Sequence, residues 1–444
     1  MTDPRLKAFQ VVGRDFLARR SRACLADDMR LGKTWQAISA CDKARANRVF
    51  VVCPASAVGV WESALKLLSP ERNVRTGKAE GRRPLKQEVW VASYDCVRDN
   101  LDDFLEMPRW DVLICDESHM LKSLDAGRTK AIMARYGMAW RTDRLWLLSG
   151  TPAPSHAGEL WVMARVFGIT TMRYDDWVDY FCYRNGQGKP TGTKRERIPR
   201  LREMFAPVLL RRLKAEVAPE LPKTIIEPWP VVANTEYISA MRPFNWEADM
   251  RAVRTDEYKL RMKLDQCQPH KRAQLLAQEA NDFSMMRRIN ALLKTPAVVE
   301  AAVNDIKDGG VDKLVIYAYH SDPIRLLQLM LEQEGIRTVS VTGQTTAKGR
   351  SRAVQQFNQP DGPEIFLGQI IAAGTAIDLS VANHGILLER DWVPGNNAQA
   401  LDRMGGFKQT KPVTIRDAVL TDGIDCVIGE TLRRKEQEIA ALLD

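Results

Sequence analysis

At 444 residues and 45% hydrophobic content the chain is long enough for about two to three domains, each with its own core. Lys and Arg number 65 against 56 Asp and Glu, a formal charge of +9 that suits a polyanionic partner such as nucleic acid and equally an ordinary basic protein. The eight cysteines are scattered without a C-x-x-C pair, the N-terminus MTDPRLKAFQ has no apolar signal core and no apolar run approaches bilayer length, so a zinc site, a disulfide framework and a membrane span are not expected, and the thiols read as reduced core residues of a cytoplasmic protein.

In chain order, the first distinctive stretch is ACLADDMRLGKT at 23–34, a short apolar run meeting a loop that ends in Gly32-Lys33-Thr34, with the helical pattern WQAISACDKA behind it. A strand, a loop and a helix N-terminus in that order can cradle phosphates. Backbone N–H groups and the helix dipole face the anion, the lysine reaches its outer oxygens and the hydroxyl ligates magnesium. Asp27 stands where the full G-x-x-x-x-G-K-T pattern has glycine, so on the loop alone a bare helix start is the alternative.

Apolar strand patterns then alternate with helical ones at 48–54, 89–94, 112–117 and 145–151. This indicates a parallel sheet covered on both faces, with ligands at the carboxyl ends of its strands. Asp27, Ser56, Ser93, Asp116 and Ser149 all fall at such ends. From 155 to 310 long polar helical stretches surround a basic segment at 183–202, and a break in the last of these helices is expected at Pro296. Strand patterns return at 313–320, 337–343, 364–371, 385–390 and 414–420, a second α/β unit. The boundaries drawn are a first domain at 1–224 with a helical and basic insertion about 155–210, a helical linker at 225–310 and a second domain at 311–444.

DVLICDESH (111–119) sets Asp116 and Glu117 at the end of a buried strand. Phosphoanhydride hydrolysis needs one carboxylate on magnesium and a second to orient or deprotonate water, and adjacent acids supply both. His119 lies beside them, either coupling the site to neighbouring motifs or making a structural hydrogen bond. In LLSGTPA (147–153), Ser149 and Thr151 either relay the state of that site or cap the next helix.

With these motifs in order, the chain resembles a Swi/Snf-type superfamily-two ATPase, a double-stranded-DNA translocase, over nearly its whole length. The match runs through Phe9-Gln10, DDMRLGKT, CPAS with Trp61 downstream, ASY at 92–94, DESH, LLSGTP, LLRRLKAEV followed by LPK, VTG at 341–343, AAGTAIDL at 372–379 and DWVPGNNAQALDR at 391–403. RRINALLKTPAVVEAAV and the compact length resemble the HepA-related, annealing-helicase branch and small phage-type relatives.

The resemblance implies two RecA-like P-loop domains in tandem, α/β with parallel sheets flanked by helices and with helical insertions between them. It implies ATP and Mg2+ as ligands. Gln10 would read adenine, Arg30, Leu31, Gly32, Lys33 and Thr34 would form the phosphate loop, Thr34 and Asp116 would hold the metal and Glu117 would activate water. Gly374, Asp378, Gln399 and Arg403 would reach the nucleotide from the second domain, with Lys33 and Arg403 stabilising charge on the phosphates. For DNA, duplex or branched, the implied contacts are sequence-nonspecific and to the backbone, from Ser56, Ser93, Gly343 and Thr375 together with Arg211 and Arg212. The basic stretch Lys189, Lys194, Arg195, Arg197, Arg200 and Arg202, continuing to Lys214, is either a positive track for DNA or a solvated face.

The chain departs from the family pattern at two places. Arg30 replaces the first glycine of Met-Gly-Leu-Gly-Lys-Thr, where the backbone turns tightly. Gly405 and Gly406 replace the histidine and second arginine of Q-A-x-D-R-x-H-R-I-G-Q. Losing a finger arginine lowers turnover by about a thousandfold, so weak ATPase is expected unless Lys408, Arg30 or another cation compensates. The resulting expectation is a DNA-dependent ATPase that translocates on and remodels DNA, a monomer in the cytoplasm (a host's if phage-encoded) working with replication or recombination proteins. The alternative is a hydrolysis-poor ATP-binding clamp or recruitment module.

Overall fold

The computed structural model describes residues 5–79, 85–233, 280–374, 377–406, 408–421 and 424–443. It forms two units, Met1–Pro219 with Gln437–Asp444, and Glu220–Glu436.

The first unit carries strands β1 (Arg22–Leu25), β2 (Val49–Cys53), β3 (Asn73–Thr76), β4 (Glu88–Ser93), β5 (Trp110–Asp116), β6 (Thr142–Leu148), β7 (Cys182–Arg184), β8 (Pro190–Thr193) and β9 (Leu209–Leu210). Seven of them form one sheet in the order β3-β4-β2-β5-β6-β1-β9, every pair parallel, while β7 and β8 make a separate antiparallel hairpin. Strand β2, inside the sheet, is apolar from end to end because both of its faces are covered, and all five of its residues are buried. An aromatic cluster fills one layer, with Phe50 edge-on to Phe104 and to Trp110, both at 5.0 Å, and Trp90 edge-on to Phe104 at 5.8 Å. The flanking strands β3 and β9 lack such a run, and neither was legible in the sequence.

The second unit repeats the plan. Its strands are β10 (Thr224–Val231), β11 (Leu314–Ala318), β12 (Thr338–Val341), β13 (Ile365–Gln369), β14 (His384–Leu387) and β15 (Val413–Leu420), in the order β10-β15-β14-β11-β13-β12 and again all parallel. Strand β10 falls where the sequence suggested the start of a helical linker. Its prolines hide it: the carbonyls of Lys223 and Val231 accept from Val413 and Thr421, so the odd positions face β15 and the missing donors of Pro228 and Pro230 fall on the open edge.

One expectation is overturned. The helix Ala280–Lys307 runs unbroken through Pro296. The proline removes one N–H, but the Thr295 hydroxyl donates to the carbonyl of Ala291 at 2.9 Å, and Leu292, Leu293, Val298 and Val299 are buried on both sides of it, so packing outweighs the lost bond. The thiols of Cys24, Cys41, Cys53 and Cys115 are buried, and burial pushes those of Cys24 and Cys41 up to about 12. Cys426, by contrast, is exposed. No helix among the described residues is long and apolar enough to cross a membrane.

Phe50→Ala removes the ring shared by two edge-on contacts and should lower the stability of the first unit by about 3–5 kcal/mol. Chemical denaturation followed by tryptophan fluorescence measures this, and an unchanged midpoint would refute the packing account.

Candidate functional site

Because the sheet of the first unit is parallel, its strand carboxyl ends open on one edge, and the loop after β1 lies there. Arg30 and Gly32 are both left-handed, at φ 60° and 75°, and Gly32 is the N-cap of the helix Lys33–Lys43. Left-handed residues alternating with ordinary ones curl successive N–H groups toward a concavity that suits an anion, and the helix N-terminus adds its dipole. Gly32 is needed twice over, for its φ and because a Cβ there would come within 2.4 Å of Gln10 Nε2. Lys33 Nζ donates to the carbonyls of Asp27 (2.8 Å) and Asp28 (3.1 Å), neutral partners that a phosphate can replace. Thr34 lies in the first helical turn and is partly exposed, while Leu31 is buried. Gln10 is also buried; its Nε2 donates to the carbonyl of Leu31 at 3.1 Å and its Oε1 accepts from Lys7 N at 3.0 Å, so it braces the loop from beneath.

At the end of β5 the Asp116 carboxylate is enclosed by donors. Trp61 Nε1 donates to Oδ2 at 2.8 Å and the Glu117 N–H to Oδ1 at 3.0 Å, while the Tyr94 hydroxyl donates to the Asp116 carbonyl at 2.6 Å. Burial, with the Glu117 charge next door, raises the Asp116 carboxyl to about 6; the Trp61 bond and the Lys33 charge oppose the rise without cancelling it. Glu117 adopts a left-handed conformation, φ 49° and ψ 49°, unusual for a residue with a side chain and the kind of backbone strain found at working sites. His119 Nδ1 faces both Glu117 Oε2 (3.3 Å) and Ser149 Oγ (3.2 Å), and Ser149 Oγ also accepts from the Thr151 N–H at 3.2 Å. The acid pair is thereby connected to the strand end of β6.

Within the second unit, Arg403 Nη2 donates to the carbonyl of Gly374 at 2.6 Å, and Gln399, buried, packs so closely that a Cβ on Gly374 would meet its Cβ at 3.6 Å. Asp378 accepts from Lys408 Nζ at 3.0 Å. The N–H of Leu379, next to Asp378, donates to the Arg403 carbonyl at 2.8 Å, so these four predicted residues share one neighbourhood. Gly406 sits at φ 106°, a region closed to ordinary residues, so a glycine turn is built where the resemblance leads one to expect an arginine. Gln409 anchors that turn, its Nε2 donating to the carbonyls of Ser380, Ala382 and Met404 at 3.1, 2.9 and 3.1 Å.

The residues assigned to DNA are placed unevenly. Ser56 lies in the turn after β2, and Ser93 ends β4, its hydroxyl accepting from the Cys96 N–H at 3.1 Å as a helix cap. Gly343 is exposed, its N–H held by Gln369 Oε1 at 2.7 Å. Thr375 lies outside the described residues. Arg211 donates to the Gly150 carbonyl at 3.0 Å, and Arg212 is engaged by Asp27. The basic stretch is partly neutralised: Arg200 pairs with Glu203 at 2.6 Å, Lys194 Nζ donates to the Asp179 carbonyl and Arg197 lies over the Tyr180 ring. Sequence reasoning assigned no role to Tyr94, Gln36 or Gln409, and matched Trp61 without one. Each acts through a hydrogen bond to a residue distant in sequence, which no local pattern announces.

Residues 10–234 match the SNF2-related domain and residues 297–408 the helicase conserved C-terminal domain. The DNA annealing helicase and endonuclease ZRANB3 of Homo sapiens is 26% identical over 99% of this chain, which spans 40% of that protein. The SWI/SNF-related matrix-associated actin-dependent regulator of chromatin subfamily A-like protein 1 of Drosophila melanogaster is 26% identical over 98% of the chain, which spans 55% of it. Among solved structures, the Sulfolobus solfataricus SWI2/SNF2 ATPase core in complex with dsDNA is 20% identical with a TM-score of 0.44, covering 99% of this chain and 97% of that one.

Arg30 holds the conformation of the glycine it replaces, at a steric penalty of about 1–2 kcal/mol. Arg30→Gly should therefore raise the melting temperature of the protein in a thermal scan; a lowered value would show that contacts of the Arg30 side chain outweigh the strain.

Proposed function

The chain belongs to the SNF2-related family, whose domain covers more than half of it, and on that premise we propose that it is a DNA-dependent ATPase that moves on and remodels duplex or branched DNA. The observation carrying the reading is the carboxyl edge of the first sheet, where a left-handed loop, a lysine resting on neutral carbonyls and a raised carboxyl share one neighbourhood. The residues fit ATP with Mg2+: the loop offers N–H groups and a helix N-terminus to phosphates, and Thr34 and Asp116 offer oxygens to the metal. Bound there, the metal would neutralise charge on the phosphate oxygens.

Lys33 would leave the carbonyls of Asp27 and Asp28 for the outer phosphate oxygens. Glu117, oriented by His119, would align and deprotonate the attacking water. Gln10 would recognise adenine while keeping its hold on the loop. From the second unit we propose Gly374, Asp378, Gln399 and Arg403 as nucleotide residues, with Arg403 stabilising charge on the leaving phosphates. Ser56, Ser93, Gly343 and Thr375 are proposed as backbone contacts to DNA, together with Arg211. The proposed outputs are branch migration, annealing or fork remodelling; annealing is favoured, because relatives that match nearly the whole chain carry "annealing helicase" in their names.

The second reading, a hydrolysis-poor nucleotide-dependent DNA clamp, has one observation in its favour, the glycine turn at Gly406. Steady-state hydrolysis with and without duplex, forked and single-stranded DNA separates the two. For the motor, DNA stimulates turnover, and Lys33→Ala and Glu117→Gln each reduce it by about a hundredfold or more; a background rate insensitive to both substitutions would sink it. Restoring His-Arg at positions 405 and 406 should raise turnover by about tenfold or more and lower thermal stability, since the arginine enters a glycine-only conformation. An unchanged rate would end the idea that the missing arginine limits hydrolysis.

A further inference from the structure

Asp27, at the end of β1, is fully buried, and a carboxylate there needs compensating charge. Arg212 supplies it from 185 residues further along: Nε lies 2.9 Å from Oδ1 and Nη2 2.5 Å from Oδ2, a two-pronged pair. Gln36, also buried, closes the ring. Its Nε2 donates to Asp27 Oδ2 (3.0 Å) and to the Leu31 carbonyl (3.1 Å), while its Oε1 accepts from Arg212 Nη2 (3.0 Å). Arg212 Nη1 donates to the carbonyl of Phe9, next to the Gln10 that braces the same loop. Gly13 is the gap that admits the ring, since a Cβ there would come within 1.7 Å of Gln36 Oε1 and 2.7 Å of Arg212 Nη2. The backbone follows suit: the N–H groups of Ala26 and Asp28 donate to the carbonyls of Leu210 and Arg212 at 2.7 and 3.0 Å, and Lys214 N to Asp28 Oδ2 at 2.9 Å.

We infer that Arg212 is a positioning residue of the nucleotide site, holding the phosphate loop in its binding shape through Asp27 and Gln36, and not a contact to DNA. The inference rests on the reading of that loop as an ATP site. Its mechanism is competition for Lys33. The ammonium already rests on the Asp27 carbonyl, and if Arg212 is removed the orphaned Asp27 carboxylate becomes the strongest anion within its reach. Lys33 is then drawn under the loop and withheld from phosphate. The chain runs on from Arg212 to Thr224, where β10 begins, so the segment leading into the second unit is also the one that grips the loop.

The test uses the full chain with a fluorescent N-methylanthraniloyl ATP and Mg2+ as the nucleotide probe and a labelled duplex as the DNA probe. Arg212→Gln should weaken nucleotide binding by about tenfold and raise KM for ATP in proportion, with kcat changed by less than about threefold; a merely destabilised protein would lose kcat with its folded fraction. Duplex affinity and its salt dependence should stay at the wild-type values. Asp27→Asn removes the carboxylate that would capture Lys33, so the double variant Arg212→Gln/Asp27→Asn should bind nucleotide more tightly than Arg212→Gln alone; a double variant as weak as Arg212→Gln overturns the competition for Lys33. Wild-type nucleotide affinity in Arg212→Gln overturns the inference, as does a loss of duplex affinity with a salt slope shallower by about one, which would make Arg212 a phosphate contact. If circular dichroism shows Arg212→Gln unfolded, Arg212→Lys keeps the charge and loses the fork; it should bind nucleotide about threefold more weakly, and wild-type affinity there overturns the inference too. A wild-type protein that binds no ATP analogue overturns the reading of the loop itself, and this inference with it.

Discussion

Placing a carboxylate with no solvent exposure at the end of β1 imposes a demand that much of the first unit meets. An isolated buried charge of this kind is far more costly than any single packing contact is favourable, so a cation has to be brought to it. The nearest lysine in sequence, Lys33, lies on the carbonyls of the loop rather than on the Asp27 carboxylate. The chain therefore returns after its insertion as β9, pairs with β1 through Cys24↔Leu209 and Leu25↔Leu210, and delivers Arg212 to Asp27. A two-residue strand is thus explained by the charge that follows it. With the acid neutralised by arginine, Lys33 keeps neutral partners that an incoming anion can displace.

The second acid on the same edge is treated in the opposite way. Asp116 receives an indole N–H and a backbone N–H but no arginine, and its closest charged neighbour in sequence is another carboxylate, Glu117. Where Asp27 meets the two-pronged guanidinium of Arg212, the Asp116 oxygens meet neutral donors, and burial with the Glu117 charge raises its carboxyl to about 6. That rise is what a divalent cation would relieve. Two aspartates at the ends of nearly neighbouring strands thus differ in exposure and in the group that answers their charge, an arginine fork for the fully buried Asp27 and neutral N–H donors for the half-buried Asp116.

Much of this plan was legible in the sequence, for reasons that also explain the gaps. Central strands such as Val49–Cys53 are apolar throughout because both faces are covered, and motif residues follow them at fixed offsets, so Lys33, Asp116 and Glu117 could be placed from the chain alone. What stayed hidden depends on pairing across long separations. Strands β3 and β9 have no pattern of their own, and β10 carries prolines that are tolerable only because their missing donors face the open edge. Pro296 misled because local propensity predicts a break, whereas buried residues on both of its flanks hold the helix together. Arg212 was assigned to the DNA backbone, since nothing near it in sequence reveals that its partner is Asp27.

The two departures from the family pattern look alike in sequence, each exchanging glycine and arginine, yet the backbone answers them differently. At Arg30 the conformation of the lost glycine is retained, φ 60°, and the side chain is carried as a local strain beside a loop pinned by Gln10 and Gln36. The surrounding hydrogen bonds fix the turn whatever residue occupies it. At Gly406 the loss of a side chain is accompanied by a backbone, φ 106°, that no arginine adopts comfortably, held by the three carbonyl contacts of Gln409. The first departure leaves the phosphate loop intact and is reversible by one substitution. The second is built into the turn itself, so a single substitution at position 406 would have to remake the backbone as well as supply the side chain.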